Sequence, residues 1–110
     1  MGIDIEMQRD KILKIANKFT PLEEYRTIAN SAALIRKLTI VWGAKEAIYK
    51  LYAQKSVCFL QHIVIEDFDF DAGETTGTVF FRNTTSSYQL WFLEFEGFTC
   101  VYSLPLNTPA

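Results

Sequence analysis

Histidine and cysteine are nearly missing from this chain, and the gaps are informative. One His and two Cys occur in 110 residues. Cys58 and Cys100 are too few and too far apart for a zinc site, and His62 alone adds nothing to them. Both cysteines lie in apolar runs, so buried, reduced thiols are expected. Positive charge is not in excess either. Eleven Lys and Arg against 13 Asp and Glu leave a net charge of −2, without the basic footprint that nucleic-acid binding needs. No apolar run reaches membrane-spanning length, and the acidic N-terminus does not read as a signal peptide. Repeats, low-complexity segments and linkers are absent as well. What is present is the length of one domain and a rich supply of core material, with nine Phe, five Tyr and two Trp. The expectation is a single cytoplasmic domain over residues 1–110, with neither nucleic acid nor membrane as a partner.

The chain opens on a strand pattern. Ile3 and Ile5 alternate with Asp4 and Glu6, the period of two of a half-buried strand. The two acids then share a face, with side chains roughly 7 Å apart. They are either a polar outer face or a pair converging on a cation. Ile12, Ile15, Ala16 and Phe19 next mark an amphipathic helix with Lys11, Lys14 and Lys18 facing out. Thr20-Pro21-Leu22-Glu23 reads as a second helix start with a capping box, carrying Leu22, Tyr25 and Ile28 inward. A long helix is predicted from about Ser31 to Ala53. It has two apolar stripes, one through Leu34, Leu38, Val41, Ile48 and Tyr52, the other through Ile40, Ala44, Ala47 and Leu51, so it should pack on more than one side. Strands follow at about 60–71, 75–82, 88–95 and 98–104, with a turn at Asn83 to Ser86 and a tight hairpin at Glu96-Gly97. The fold class is therefore α+β: an N-terminal strand, three helices, and an antiparallel β-meander packed on the long helix.

Within the long helix, Glu46 and Lys50 are four residues apart and share a face, with Gly43 and Thr39 on the turns before them. A solvated ion pair is one explanation, worth a few tenths of a kcal/mol. A glycine at mid-helix costs roughly 1 kcal/mol relative to alanine, however, and calls for compensation. A glycine and a short polar residue beneath two charges leave room for something to lie beside the helix. Trp42 on the turn before reads as core packing.

Taken together, Gly2-Ile3-Asp4-Ile5-Glu6 and, about forty residues on, Trp42-Gly43-Ala44-Lys45-Glu46-Ala47-Ile48-Tyr49-Lys50 resemble the two-part signature of 4′-phosphopantetheinyl transferases. Each half is a weak motif; the order and spacing of both make the match specific. The resemblance implies magnesium-dependent transfer of the 4′-phosphopantetheine arm from coenzyme A to a serine of an acyl or peptidyl carrier protein, the holo-ACP synthase reaction of fatty-acid or polyketide biosynthesis. It further implies Asp4, Glu6 and Glu46 as metal ligands, Glu46 and Lys50 as catalytic residues, and Lys45 and Lys50 as contacts to coenzyme A. For Lys45, about 100° round the helix from Glu46, structural packing is the other option. Carboxylates suit this chemistry because a hard cation bridging pyrophosphate oxygens wants oxygen ligands.

The sequence departs from both subclasses of that family. The short, trimeric type carries a downstream Ser-x-x-His-(Ser/Thr) element, and residues 83–104 contain no His. The chain looks instead like the C-terminal half of the long, surfactin-synthetase-activating type. Two outcomes follow from this: the chain pairs with itself as a homodimer through the face meant for the other half, or it is a truncated remnant that binds a carrier protein or self-associates without transferring the arm.

Overall fold

The computed structural model describes residues 1–25 and 27–106. Five antiparallel strands form one sheet: β1 (Gly2–Met7), β2 (Ile63–Ile65), β3 (Glu74–Phe81), β4 (Thr84–Phe95) and β5 (Phe98–Pro105), in the order β1-β5-β4-β3-β2. The first strand thus pairs with the last, Asp4 opposite Val101 and Glu6 opposite Thr99. The long helix α2 (Ser31–Tyr52) lies across one face of the sheet. Asn30 caps its N-terminus, its side-chain oxygen accepting from the Ala33 N–H at 3.0 Å. Ala53, left-handed at φ 56°, ends it by donating its N–H to the Tyr49 carbonyl. Both apolar stripes are buried: Leu38, Ile40, Ala44, Ala47 and Ile48 are fully enclosed against Leu90, Phe92 and Val101 of the sheet. Each large aliphatic side chain buried this way contributes about 1.5–3 kcal/mol, which is why the helix sits here despite Gly43.

The predicted helix at 12–19 is one α-turn, α1 (Ile12–Ile15), tightened at once into a 3-10 turn over Ala16–Lys18. Both Phe19 and Thr20 donate to the Ala16 carbonyl, which closes the segment early. The second predicted helix is a single 3-10 turn, Leu22–Tyr25; it buries Tyr25 and leaves Leu22 a third exposed. A strand over 60–71 is not what forms. His62 accepts the Cys58 N–H on its Nδ1 at 2.7 Å, holding the short helix α3 (Phe59–His62), and only Ile63–Ile65 pair as β2. Phe68 leaves the sheet to pack on Phe92, with ring centroids 4.9 Å apart. The turn after β3 is two residues, Arg82 and Asn83, both at positive φ, and the threonines beyond it are already in β4. Glu96 and Gly97 form the second such hairpin. Cys58 and Cys100 are free and half-buried rather than fully enclosed.

The first strand is turned over relative to a polar outer face. Gly2, Asp4 and Glu6 point under the helix, while Ile3, Ile5 and Met7 are about half exposed. They join a wider apolar surface on the sheet's outer side, where three register rows run Ile3-Tyr102-Trp91, Ile5-Cys100-Leu93 and Met7-Phe98-Phe95. None of these nine residues is charged.

Candidate functional site

Two glycines bring β1 and α2 into close approach. A Cβ on Gly2 would lie 2.0 Å from the Ala47 carbonyl oxygen in the helix, and one on Gly43 would lie 2.9 Å from Val101 Cγ2. With no side chain at either place, the strand passes directly beneath the helix. Asp4 is then packed against Gly43, its Oδ2 3.5 Å from where a Cβ would be. The helix glycine is accounted for by this acid.

Asp4 is only 8% exposed. Its Oδ1 accepts from Lys50 Nζ at 3.2 Å, whereas Oδ2 is buried with no hydrogen-bond partner. Lys50 also donates to the Ile3 carbonyl at 2.7 Å, so its ammonium reaches to the strand rather than back to Glu46. Among the described residues Glu46 makes no salt bridge, which removes the simple i,i+4 ion pair as the explanation of these two charges. Glu6 is held from the other side: Trp42 Nε1 donates to its Oε1 at 2.9 Å.

Electrostatically the three acids act as a group. Burial raises the pKa of Asp4, against the opposing hydrogen bond and charge of Lys50. Burial raises Glu6, with Asp4 adding to it and Trp42, Lys50 and Arg9 opposing. Burial again raises Glu46, reinforced by the charges of Asp4 and Glu6 and opposed by Lys50. Desolvated carboxylates that repel one another in this way are what a divalent cation relieves. Their oxygens are not gathered round a common point, however. Among the described residues no three His, Cys, Asp or Glu side chains are arranged to enclose an ion. Asp4 is turned to Lys50 and Glu6 to Trp42 instead.

Lys45 points elsewhere. One residue from Glu46 is about 100° of helix, and that turn carries the side chain into the core, where the residue is 1% exposed. Its Nζ donates to the carbonyls of Phe19 at 2.6 Å and Phe59 at 2.8 Å. Burial lowers its pKa to about 8, against the charges of Glu24 and Cys58. Of the two options for Lys45, a contact to coenzyme A or packing, the geometry is that of packing: the ammonium bonds two backbone carbonyls and is enclosed.

Some residues of the site had no signal in the sequence. Arg36 forms a two-pronged ion pair with Glu94, both contacts at 2.8 Å, and Gln8 donates to Glu94 at 2.9 Å and to Thr99 at 3.0 Å. This network fixes the chain just past Glu6, and its members lie up to 91 positions apart. A groove of about 420 Å³ opens beside Glu6 and Trp42, with Arg9, Lys11 and Ile12 on its wall. A second, more apolar dish of about 360 Å³ lies beyond the indole, against Phe19 and Phe59.

A family model described as the 4′-phosphopantetheinyl transferase superfamily matches residues 1–103. No curated protein and no solved structure matches the chain. No helix among the described residues is long and apolar enough to cross a membrane.

Proposed function

The chain belongs to the 4′-phosphopantetheinyl transferase superfamily, and from that premise we propose that it moves the 4′-phosphopantetheine arm of coenzyme A onto a serine of an acyl or peptidyl carrier protein. The observation that carries this reading is the partnerless, buried Oδ2 of Asp4 beneath Gly43, in electrostatic contact with Glu6 and Glu46. An orphaned carboxylate oxygen costs on the order of 1–3 kcal/mol or more, and a hard cation is the partner its chemistry fits. Asp4, Glu6 and Glu46 would hold magnesium, which when bound neutralises pyrophosphate oxygens.

The residues of the chain supply the rest. The serine Oγ forms a bond to the phosphorus that bears the pantetheine arm, and the bond from that phosphorus to the bridging oxygen breaks. Adenosine 3′,5′-bisphosphate leaves with the electron pair. Glu46, on the helix face beside Lys50, takes the serine proton directly or through a water. Lys50 is half exposed at the rim and bonded, among the described residues, to Asp4 and Ile3; a turn of its side chain would bring the ammonium to the leaving phosphate. The basic wall of the groove, Arg9 and Lys11, suits an acidic partner or a phosphate. Apo carrier protein incubated with the chain, coenzyme A and magnesium is expected to gain the mass of one phosphopantetheine arm by mass spectrometry. No gain with a folded chain and a competent carrier sinks the transferase reading.

The apolar rows through Trp91, Leu93 and Phe95 on the sheet's outer side, bounded at Glu74, support a homodimer formed through this face. Light scattering should give twice the chain mass, and Leu93→Lys, placed in the central register row, should return it to one chain mass. A monomeric wild type at tens of micromolar removes the dimer reading.

A further inference from the structure

Lys45 and Trp42 lie in the same helical motif as Glu46, the indole on the wall of the groove and the lysine in the core. Lys45 Nζ bonds the backbone carbonyls of two residues, Phe19 and Phe59, from segments 40 positions apart. The rings of those same two residues flank the Trp42 indole. Phe19 meets it edge-on with centroids 5.0 Å apart, and Phe59 is tilted at 5.4 Å. The indole so held donates its N–H to Glu6 at 2.9 Å.

We infer that Lys45, acting through Phe19, Phe59 and Trp42, is a positioning residue for Glu6, a role that rests on the metal reading above. The physical need is clear from the charges. Glu6 is a flexible side chain on an edge strand, next to Asp4 and facing Glu46, and repulsion would swing it away to water. The indole is a neutral donor with no acceptor, so it fixes Oε1 without neutralising the carboxylate and leaves Oε2 free for a ligand. An aromatic wall makes that donor rigid only if its neighbours are themselves fixed, and the 3-10 turn that ends at Phe19 and the short α3 that opens with Phe59 are too short to hold them by helical bonds alone. The buried ammonium ties both backbones to α2.

Two readouts test this on the full chain. Manganese titrated as the probe metal is expected to bind Trp42→Phe, which keeps the ring and loses the donor, about 10-fold or more weakly than wild type. Lys45→Met should weaken binding as well. The double variant should be no weaker than Trp42→Phe alone, because the lysine works through the indole. Additive losses, or unchanged affinity in Trp42→Phe, overturn the inference. In the metal-free chain the Trp42 indole N–H resonance should move upfield in Glu6→Gln and also in Lys45→Met; an unmoved resonance in Lys45→Met overturns it regardless of the metal. Lys45→Gln, which shortens the side chain and loses the ammonium while leaving both flanking rings in place, replaces Lys45→Met if that variant fails to fold, with the same expectation. Wild type that binds no manganese while these resonances move overturns the metal reading alone.

Discussion

Glu46→Gln is expected to melt higher than wild type in the absence of metal and to lose arm transfer by about 10²–10⁴-fold, the usual contribution of a positioned general base. The stabilisation comes from removing one of three desolvated, mutually repelling carboxylates. The pH dependence has a definite sign. Asp4, Glu6 and Glu46 have folded pKa values raised above their unfolded ones, so the stability linked to their protonation is fully present below the unfolded carboxylate range. It is lost as pH rises through the folded values. Asp67 and Glu94, lowered by their hydrogen bonds to Lys37 and Arg36, work in the opposite sense, so the comparison must be wild type against variant. Melts in chelator from about pH 4 to about pH 7 should show the variant pulling ahead as pH rises. Magnesium should then raise the wild-type Tm and leave the variant unmoved. Equal melting curves and an active variant would leave Glu46 without its role.

Gly2→Ala should cost about 1–3 kcal/mol and cut transfer roughly 10²-fold, out of proportion to one added methyl. The new Cβ would sit 2.0 Å from the Ala47 carbonyl oxygen and 2.9 Å from its carbon, atoms held inside a 22-residue helix that cannot give way locally. The strand must lift. It pairs only with β5, so its beginning peels from the sheet while the rest of the domain stays folded. Asp4, two residues on, then moves off Gly43 and out of reach of Lys50. Amide hydrogen exchange should report the change at residues 2–5 and Ser103, with the β3–β4 hairpin unaffected. A variant with wild-type Tm and rate would mean that the close approach of strand and helix has no bearing on the site.

Much of this architecture is legible in the sequence. The helix over Ser31–Tyr52, the hairpin at Glu96-Gly97 and the α+β order follow from local periodicity and turn chemistry, which involve near neighbours only. The short elements at 12–25 and 59–65 do not, because single turns are decided by bonds such as Cys58 to His62 and by side chains such as Phe68 leaving for distant partners. Along β1 the period of two was correct, but which face turned inward could not be read from alternation. Apolar Ile3 and Ile5 face outward because Gly2, Asp4 and Glu6 occupy the face where only a glycine can pass the helix.

By themselves the residues determined that Asp4 and Glu6 share one face of a strand and that Glu46 and Lys50 share one face of a helix. Folding decided which charges meet: Lys50 with Asp4, Trp42 with Glu6, and Lys45 with two carbonyls in the core. The physical reason is range. Backbone periodicity sets the direction of a side chain relative to its own element, whereas the partner it reaches depends on how closely two elements pack, and here that distance is set by the missing side chains of Gly2 and Gly43.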